Sequence, residues 1–153
     1  MRVRDTFMRR ELFICLILIV VTLAAFWQVC NHEFVHLDDY EHIFDNRHLH
    51  RGLSPEGVVW AFSFTDVAYW HPMTWLSLLL DYELFGLSPS GYHLTNLLLH
   101  ILSVLFLFLV LRRMTGSLWQ SGFVAALFAL HPLSVESVAW AVERKNVLSS
   151  LFL

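Results

Sequence analysis

The sequence contains little charge and few cysteines. Only 15% of its 153 residues are Asp, Glu, Lys or Arg, whereas 57% are hydrophobic, and a soluble domain of this size usually carries more charge. The net charge of −3 provides no basic surface for nucleic acid, so nucleic acid is not an expected partner. Cys15 and Cys30 would lie about 22 Å apart on one helix, which is too far for a disulfide.

Long apolar runs are present instead, and they predict an all-α membrane protein. The mean hydropathy is +0.58, and residues 12–29 and 94–111 are each long enough to span a bilayer as a helix. Arginine pairs precede the first run and follow the second, so the positive-inside rule places both pairs in the cytoplasm. A cleaved signal peptide is the alternative for residues 12–29, but the run is long and no clear cleavage site follows it.

These assignments predict a polytopic helical bundle with its first large loop outside the cytoplasm. The predicted order is a cytoplasmic N-terminus at 1–11, a span at 12–29, an external loop at 30–93, a span at 94–111, a cytoplasmic loop at 112–117, a span at 118–131, an external loop at 132–146 and the start of a fourth span at 147–153. Because the last helix has no room to finish, we expect the N-terminal piece of a larger, truncated membrane protein.

The external loop has signals for two helices. Ser54, Pro55 and Glu56 form a helix start, with a capping serine, proline at the first position and an acid in the first turn. Pro72 opens a second helix, which Gly86 closes. Tryptophans and tyrosines in both segments favour headgroup depth, so we expect amphipathic helices that lie on the membrane surface.

Asp38 and Asp39 form a carboxylate pair just after the first span. Like charges at this distance raise each other's proton affinity, and burial near lipid raises it further, which suits a general base near neutral pH. Two hard oxygen donors could equally supply part of a divalent metal site. A solvated acidic turn is the structural alternative.

Residues 32–36 match the HExxH pattern of zinc proteases, in which His32 and His36 would bind the metal and Glu33 would activate water. That chemistry needs the five residues inside a helix. The surrounding sequence is typical of the end of a helix, and no third ligand stands at a characteristic spacing. A membrane zinc protease is therefore the least favoured function.

Two further polar groups stand out. His93, Asn96, His100 and Ser103 form one polar stripe on the second span, which must face a cavity or neighbouring helices. The triplet Glu143, Arg144 and Lys145 lies in the second external loop, where its cations could bind a phosphate or anchor the loop at the membrane surface.

Several motifs in order resemble one family, the polytopic GT-C glycosyltransferases that use lipid-phosphate sugars. The likeness is strongest to the group with C-terminal tetratricopeptide repeats, related to protein O-mannosyltransferases. The motifs are FVHLDD (34–39), WHPMTWLS (70–77), LDYELFGL (80–87), HLTNLLLH (93–100), AALFALHP (125–132), VESVAW (135–140) and ERK (143–145).

The resemblance implies transfer of a sugar from a polyprenyl phosphate to a hydroxyl acceptor, with a protein as one candidate acceptor. It implies that Asp38 and Asp39 are catalytic and that Arg144 and Lys145 bind the donor phosphate, with the possible help of a divalent metal. We also expect a cavity lined by polar residues of these motifs and of the stripe: His71, His93, Asn96, His100, His131 and Glu143. A bacterial inner membrane is the expected location.

One position departs from the sequence pattern of this family. Members usually have an acid directly after the Arg-Lys pair, and this chain has Asn146, which cannot act as a charged metal ligand. Metal dependence is therefore in question, and a catalytically inactive membrane scaffold is the alternative function.

Overall fold

The computed structural model describes residues 2–35, 38–63 and 70–152, and every regular element in these ranges is helical. The α-helices are α1 (Arg2–Phe26), α2 (Pro55–Ser63), α3 (Pro72–Phe85), α4 (Pro89–Thr115), α5 (Leu118–Ala129), α6 (Leu133–Ala139) and α7 (Arg144–Phe152). Short 3-10 turns at Trp27–Asn31 and Leu49–Arg51 and a π-helical turn at Tyr40–Phe44 complete the list.

Two of these segments have the length and apolarity to cross a membrane. They are Met8–Asn31, which joins most of α1 to the following 3-10 turn, and Pro89–Thr115, which is α4. Helices α5 and α6 pass the same test as a pair, although they are bent by 61°. The prediction of an all-α membrane protein is confirmed, with two candidate spans in the described ranges, or three if the bent pair counts as one.

The second span is longer at both ends than the predicted 94–111. Helix α4 begins at Pro89, directly after Ser88, which is a helix-start signal that the apolar run did not include. It ends at Thr115 because Gly116 adopts the left-handed conformation, with φ of 71°.

Helix α6 lies within the segment predicted as the external loop 132–146. The chain breaks after α5 because Pro132 has no amide hydrogen and cannot continue the hydrogen-bond ladder of that helix. It resumes as a helix at Leu133, so this segment has a turn and a short helix where the sequence predicted a loop.

The two predicted helices of the first loop are present. Helix α2 begins at Pro55, and the Ser54 hydroxyl accepts a hydrogen bond from the Gly57 amide at 3.1 Å. Helix α3 begins at Pro72 and ends before Gly86, where φ is 61°. Both helices pack around a set of buried apolar side chains that we name the loop core: Phe34, Ile43, Leu49, Ala61, Trp75, Leu78, Leu79, Tyr92 and Ala141.

Helix α4 is central and contacts α1, α3, α5, α6 and α7. Its apolar face packs with α1 and α5 in a second cluster, the span core, which consists of Ile14, Leu18, Val104, Phe108, Ala125 and Ala129. The two ends of α4 therefore belong to different cores, because Tyr92 lies in the loop core and Phe108 in the span core. This arrangement brings the two segments that were predicted to be external together at the start of α4.

Candidate functional site

The two aspartates of the predicted catalytic pair have different surroundings. Asp38 is exposed, whereas Asp39 has no exposed surface. The Asp39 carboxylate accepts hydrogen bonds from the backbone amides of Val35 and Val142, each at 3.0 Å. Asp38 is therefore the member of the pair with exposed surface, and both carboxylate oxygens of Asp39 accept hydrogen bonds from the backbone.

The electrostatic surroundings of Asp39 act in opposite directions. Burial raises the pKa of the Asp39 carboxyl above its usual range, and hydrogen bonds from the Val35, Val142 and Ala141 amides oppose that rise. The neighbouring Asp38 charge adds to the rise. The net effect favours the protonated form of Asp39 more than in an exposed aspartate.

The bond between Asp39 and Val142 joins residues 103 positions apart in the chain. It places the acidic pair and the second predicted external segment on the same side of the molecule. In that second segment, the Glu143 carboxylate contacts Lys145 Nζ at 2.9 Å and accepts a hydrogen bond from Asn146 Nδ2 at 2.6 Å. The Lys145 side chain keeps 41% of its surface exposed.

Arg144 lies inside the protein with no exposed surface. Its guanidinium forms an ion pair with Asp81 and donates to Asn96 Oδ1 at 2.7 Å, to Ser77 Oγ at 3.0 Å and to the Tyr92 carbonyl at 2.9 Å. All three of its nitrogens thus have protein partners. A phosphate-binding role for Arg144 stays a prediction, and in this arrangement Lys145 is the cation of the triplet with exposed surface.

Burial also shifts the pKa values of both members of the ion pair, Asp81 and Arg144. It raises the pKa of the Asp81 carboxyl, and the Arg144 guanidinium and the Thr95 hydroxyl, which donates at 2.8 Å, oppose that rise. It lowers the pKa of Arg144, against the effect of the Asp81 charge. An arginine stays protonated in proteins, so Arg144 brings a positive charge into the protein interior beside Asp81.

The sequence interpretation did not single out Asp81. A signal was available, because Asp81 directly follows the apolar run Leu78, Leu79 and Leu80. Acids are almost never fully buried unless they are paired. An acid in such a run therefore indicates a buried cation elsewhere, although the sequence alone does not say which one.

The polar stripe of α4 is buried, as expected for polar groups that avoid lipid. Asn96 contacts Arg144, and the His100 ring bonds to the Ala129 carbonyl at 3.1 Å. His100 and His131 both line a groove of about 280 Å³ beside α6 and α7. His93 packs against Phe34, with ring centroids 6.5 Å apart, and His71 is half-buried before α3.

The zinc-protease pattern does not lie on a helix where it is described. Residues 32–35 have no helical structure, and the backbone at His32 is extended. His36 lies outside the described residues. Across ranges 2–35, 38–63 and 70–152, no three His, Cys, Asp or Glu side chains converge as a metal site.

Comparison with known sequences identifies relatives over most of the chain. Protein O-mannosyl-transferase TMTC3 of Homo sapiens is 33% identical over 147 residues, which cover 91% of this chain and 16% of that protein. The chain is a homologue of the TMTC protein O-mannosyl-transferases.

Other TMTC proteins are also similar in sequence to this chain. Protein O-mannosyl-transferase TMTC3 of Mus musculus is 32% identical over 144 residues, covering 89% of this chain and 15% of that protein. Protein O-mannosyl-transferase Tmtc1 of Drosophila melanogaster is 40% identical over 80 residues, covering 52% of this chain and 9% of that protein. The chain thus spans less than a fifth of each of these TMTC proteins.

No protein-family model and no solved structure matches the chain. The TMTC relatives named above are animal proteins. They support an integral membrane protein and give no support to the expected bacterial inner membrane.

Proposed function

We propose that this chain carries the substrate-activating carboxylate of a membrane glycosyltransferase of the GT-C type. The reaction is transfer of a sugar from a polyprenyl phosphate to a hydroxyl group of an acceptor protein. The TMTC relatives support the reaction class through their name. The observation that carries the assignment is the exposed Asp38 beside Asp39, whose carboxylate binds the second external segment at Val142.

Asp38 acts as the general base in this proposal. Its carboxylate accepts the proton of the acceptor hydroxyl while that oxygen bonds to the anomeric carbon of the sugar. The bond between the anomeric carbon and the phosphate oxygen breaks, and its electron pair leaves with the polyprenyl phosphate. Asp38 suits this role because it is exposed, whereas both oxygens of Asp39 accept backbone hydrogen bonds.

Lys145 is the first candidate to stabilise the departing phosphate. It is partly exposed and lies three residues after Val142. Its contact with Glu143 would be exchanged for the phosphate, which carries more negative charge and accepts stronger hydrogen bonds. No metal ligands are assigned here, because the described acids and histidines do not converge in a set of three.

The test is sugar transfer by the full chain in membranes with a labelled polyprenyl-phosphate sugar and an acceptor protein. Asp38→Asn keeps the size of the side chain and removes the base. We expect transfer to fall about 100-fold or more, which is the usual contribution of general base catalysis.

Asp45→Asn is the matched control, because Asp45 is an exposed aspartate in the same loop. It should keep transfer near that of the unchanged protein. Full transfer by Asp38→Asn would remove Asp38 from the mechanism.

A membrane scaffold without catalytic activity is the second candidate. The contacts of Glu143 with both Lys145 and Asn146 favour it, because they satisfy within the protein the groups that a substrate would need. Absence of transfer by the unchanged protein, with donor and acceptor both present, would support this candidate.

A further inference from the structure

Arg144 connects helices that meet next to the acidic pair. We propose that Arg144, held by Asp81 and Asn96, is a positioning residue that fixes residues 140–144 and, through Val142 and Asp39, sets the position of Asp38. This inference rests on the proposed function, since it names the group that orients the same base. It gives Arg144 a role other than direct contact with the donor phosphate.

The first step of the argument is the origin of the Arg144 contacts. Asp81 and Ser77 belong to α3, while Asn96 and the Tyr92 carbonyl belong to α4. Arg144 is the first residue of α7. One side chain therefore ties the start of α7 to two other helices, and it does so without any exposed surface.

The second step is the double role of Asn96. Its Oδ1 accepts the hydrogen bond from Arg144 Nε, and its Nδ2 donates to the Trp140 carbonyl at 3.0 Å. One buried amide thus holds both ends of residues 140–144. The Val142 amide lies between these ends and donates to Asp39.

The third step is the path to the base. Val142 is held between two fixed ends, and Asp39 is held by Val142 and by the Val35 amide. Asp38 directly precedes Asp39 in the chain. A shift of residues 140–144 would therefore move Asp39 and Asp38 together, even though Arg144 does not touch either one in the contacts described.

The fourth step is the need for arginine. A guanidinium has five N–H donors in a planar fork, whereas a lysine has three donors on one nitrogen. Lysine at position 144 keeps the charge that pairs with Asp81, but one nitrogen cannot reach the Asn96, Ser77 and Tyr92 acceptors at once. Arg144→Lys therefore separates the charge of the residue from its geometry.

The first experiment is a kinetic one on Arg144→Lys in the full chain. A positioning role predicts that kcat for sugar transfer falls about 100-fold, because small misplacements of a reacting group have effects of this size. The KM for the polyprenyl-phosphate sugar should stay within about twofold of the unchanged protein.

The matched control is Arg113→Lys, which makes the same substitution at an exposed arginine near the end of α4 and should leave kcat and KM near those of the unchanged protein. A direct phosphate contact for Arg144 predicts a different pattern, in which KM for the donor rises and kcat is kept. That result for Arg144→Lys would overturn the positioning role.

The second experiment needs no activity. Spin labels at Glu41 and Ser149, both exposed, report the distance between the acidic segment and α7, after Cys15 and Cys30 are replaced by serine. We expect a broader distance distribution in Arg144→Lys and an unchanged one in Arg113→Lys. An unchanged distribution in a helical Arg144→Lys protein would overturn the inference.

If Arg144→Lys does not fold, a second variant, Asn96→Ala, tests the same inference. Asn96→Ala keeps the Arg144 and Asp81 pair but removes the Asn96 side-chain hydrogen bonds with Arg144 and with the Trp140 and Val138 carbonyls, so it should broaden the same distribution. A narrow distribution in this variant would also contradict the inference.

The two experiments separate the two proposals. If Asp38→Asn retains transfer and the label distances still broaden, the catalytic role of Asp38 fails and the positioning network stands. If Asp38→Asn abolishes transfer while the distances stay narrow, the base is supported and the role of Arg144 fails.

Discussion

The loop core and the span core are built from different residues. The loop core contains Trp75, Tyr92 and Phe34, and histidines stack on aromatic rings around it. Three histidine rings stack nearly parallel to an aromatic ring, with interplanar angles of 15° or less. The ring centroids are 5.2 Å apart for His48 and Trp60, 5.1 Å for His50 and Tyr82, and 5.9 Å for His42 and Trp75. The span core contains aliphatic and small residues, with Phe108 as its one aromatic member.

The predicted topology accounts for this difference. If the loop core lies outside the membrane, as predicted, water drives burial of its large apolar rings, and histidines can cover those rings while keeping a polar edge. Lipid tails are as apolar as leucine, so spans associate through close packing of small residues instead. On this prediction, the loop core depends on the hydrophobic effect and the span core on shape complementarity.

The largest expected effect separates the two cores directly. Leu79 and Leu18 are both buried, one in each core. Leu79→Ala should destabilise the protein by about 2–5 kcal/mol, because it loses both transfer from water and packing. Leu18→Ala should cost less, because lipid removes most of the transfer contribution and leaves the cavity.

Both variants can be measured by unfolding in detergent with helicity as the signal. Equal losses of free energy of unfolding for the two leucines would show that the cores do not differ in their driving force. A larger loss for Leu18→Ala would reverse the comparison.

The second effect concerns close packing in the span core. A Cβ atom on Gly122 would lie 3.2 Å from Ile14 Cγ2, so α5 approaches α1 closely at this glycine. Gly122→Val should cost about 1–3 kcal/mol of unfolding free energy through overpacking.

Ala24→Val is the control, because Ala24 is exposed on α1. It should change stability by about 0.5 kcal/mol or less. Similar melting temperatures for Gly122→Val and the unchanged protein would contradict close packing at this contact.

The smallest effect concerns the buried carboxyl at the edge of the loop core. Burial raises the pKa of Asp39, so the folded state binds its proton more tightly than the unfolded state. The stability that Asp39 contributes is present below its ordinary pKa of about 3.9 and is lost as the pH rises through the raised value.

Asp39→Asn cannot ionise and removes this dependence. The unfolding free energy of the unchanged protein minus that of Asp39→Asn should therefore fall as the pH rises above about 4. A difference that grows with pH would show that the amide hydrogen bonds of Asp39 outweigh its burial.

Much of the local structure could be predicted from the sequence. The starts of α2 and α3 follow from Ser54, Pro55 and Pro72, and the burial of the polar stripe follows from its spacing on an apolar helix. These features depend on residues within one or two turns of each other. The break before α6 also has a local cause, which is Pro132. Helix α6 itself was not predicted, because the apolar residues on either side of the break give no separate signal for a new helix.

The candidate site was less predictable because its contacts join distant parts of the chain. The sequence indicated Asp38 and Asp39 as a pair of similar acids, and Arg144 and Lys145 as a pair of similar cations. It did not indicate that Asp39 would bind Val142, 103 residues away, or that Asp81 would pair with Arg144. Spacing along one helix carries no information about such partners.

The sequence by itself determined that this chain forms apolar helices in a membrane and where its charged residues fall between them. Local hydrogen bonding and hydropathy are sufficient for that result. Only the tertiary structure decided which member of each charged pair is exposed, with Asp38 and Lys145 accessible and Asp39 and Arg144 enclosed. Burial depends on the helices that pack around a residue, and adjacent residues in a chain point toward different neighbours.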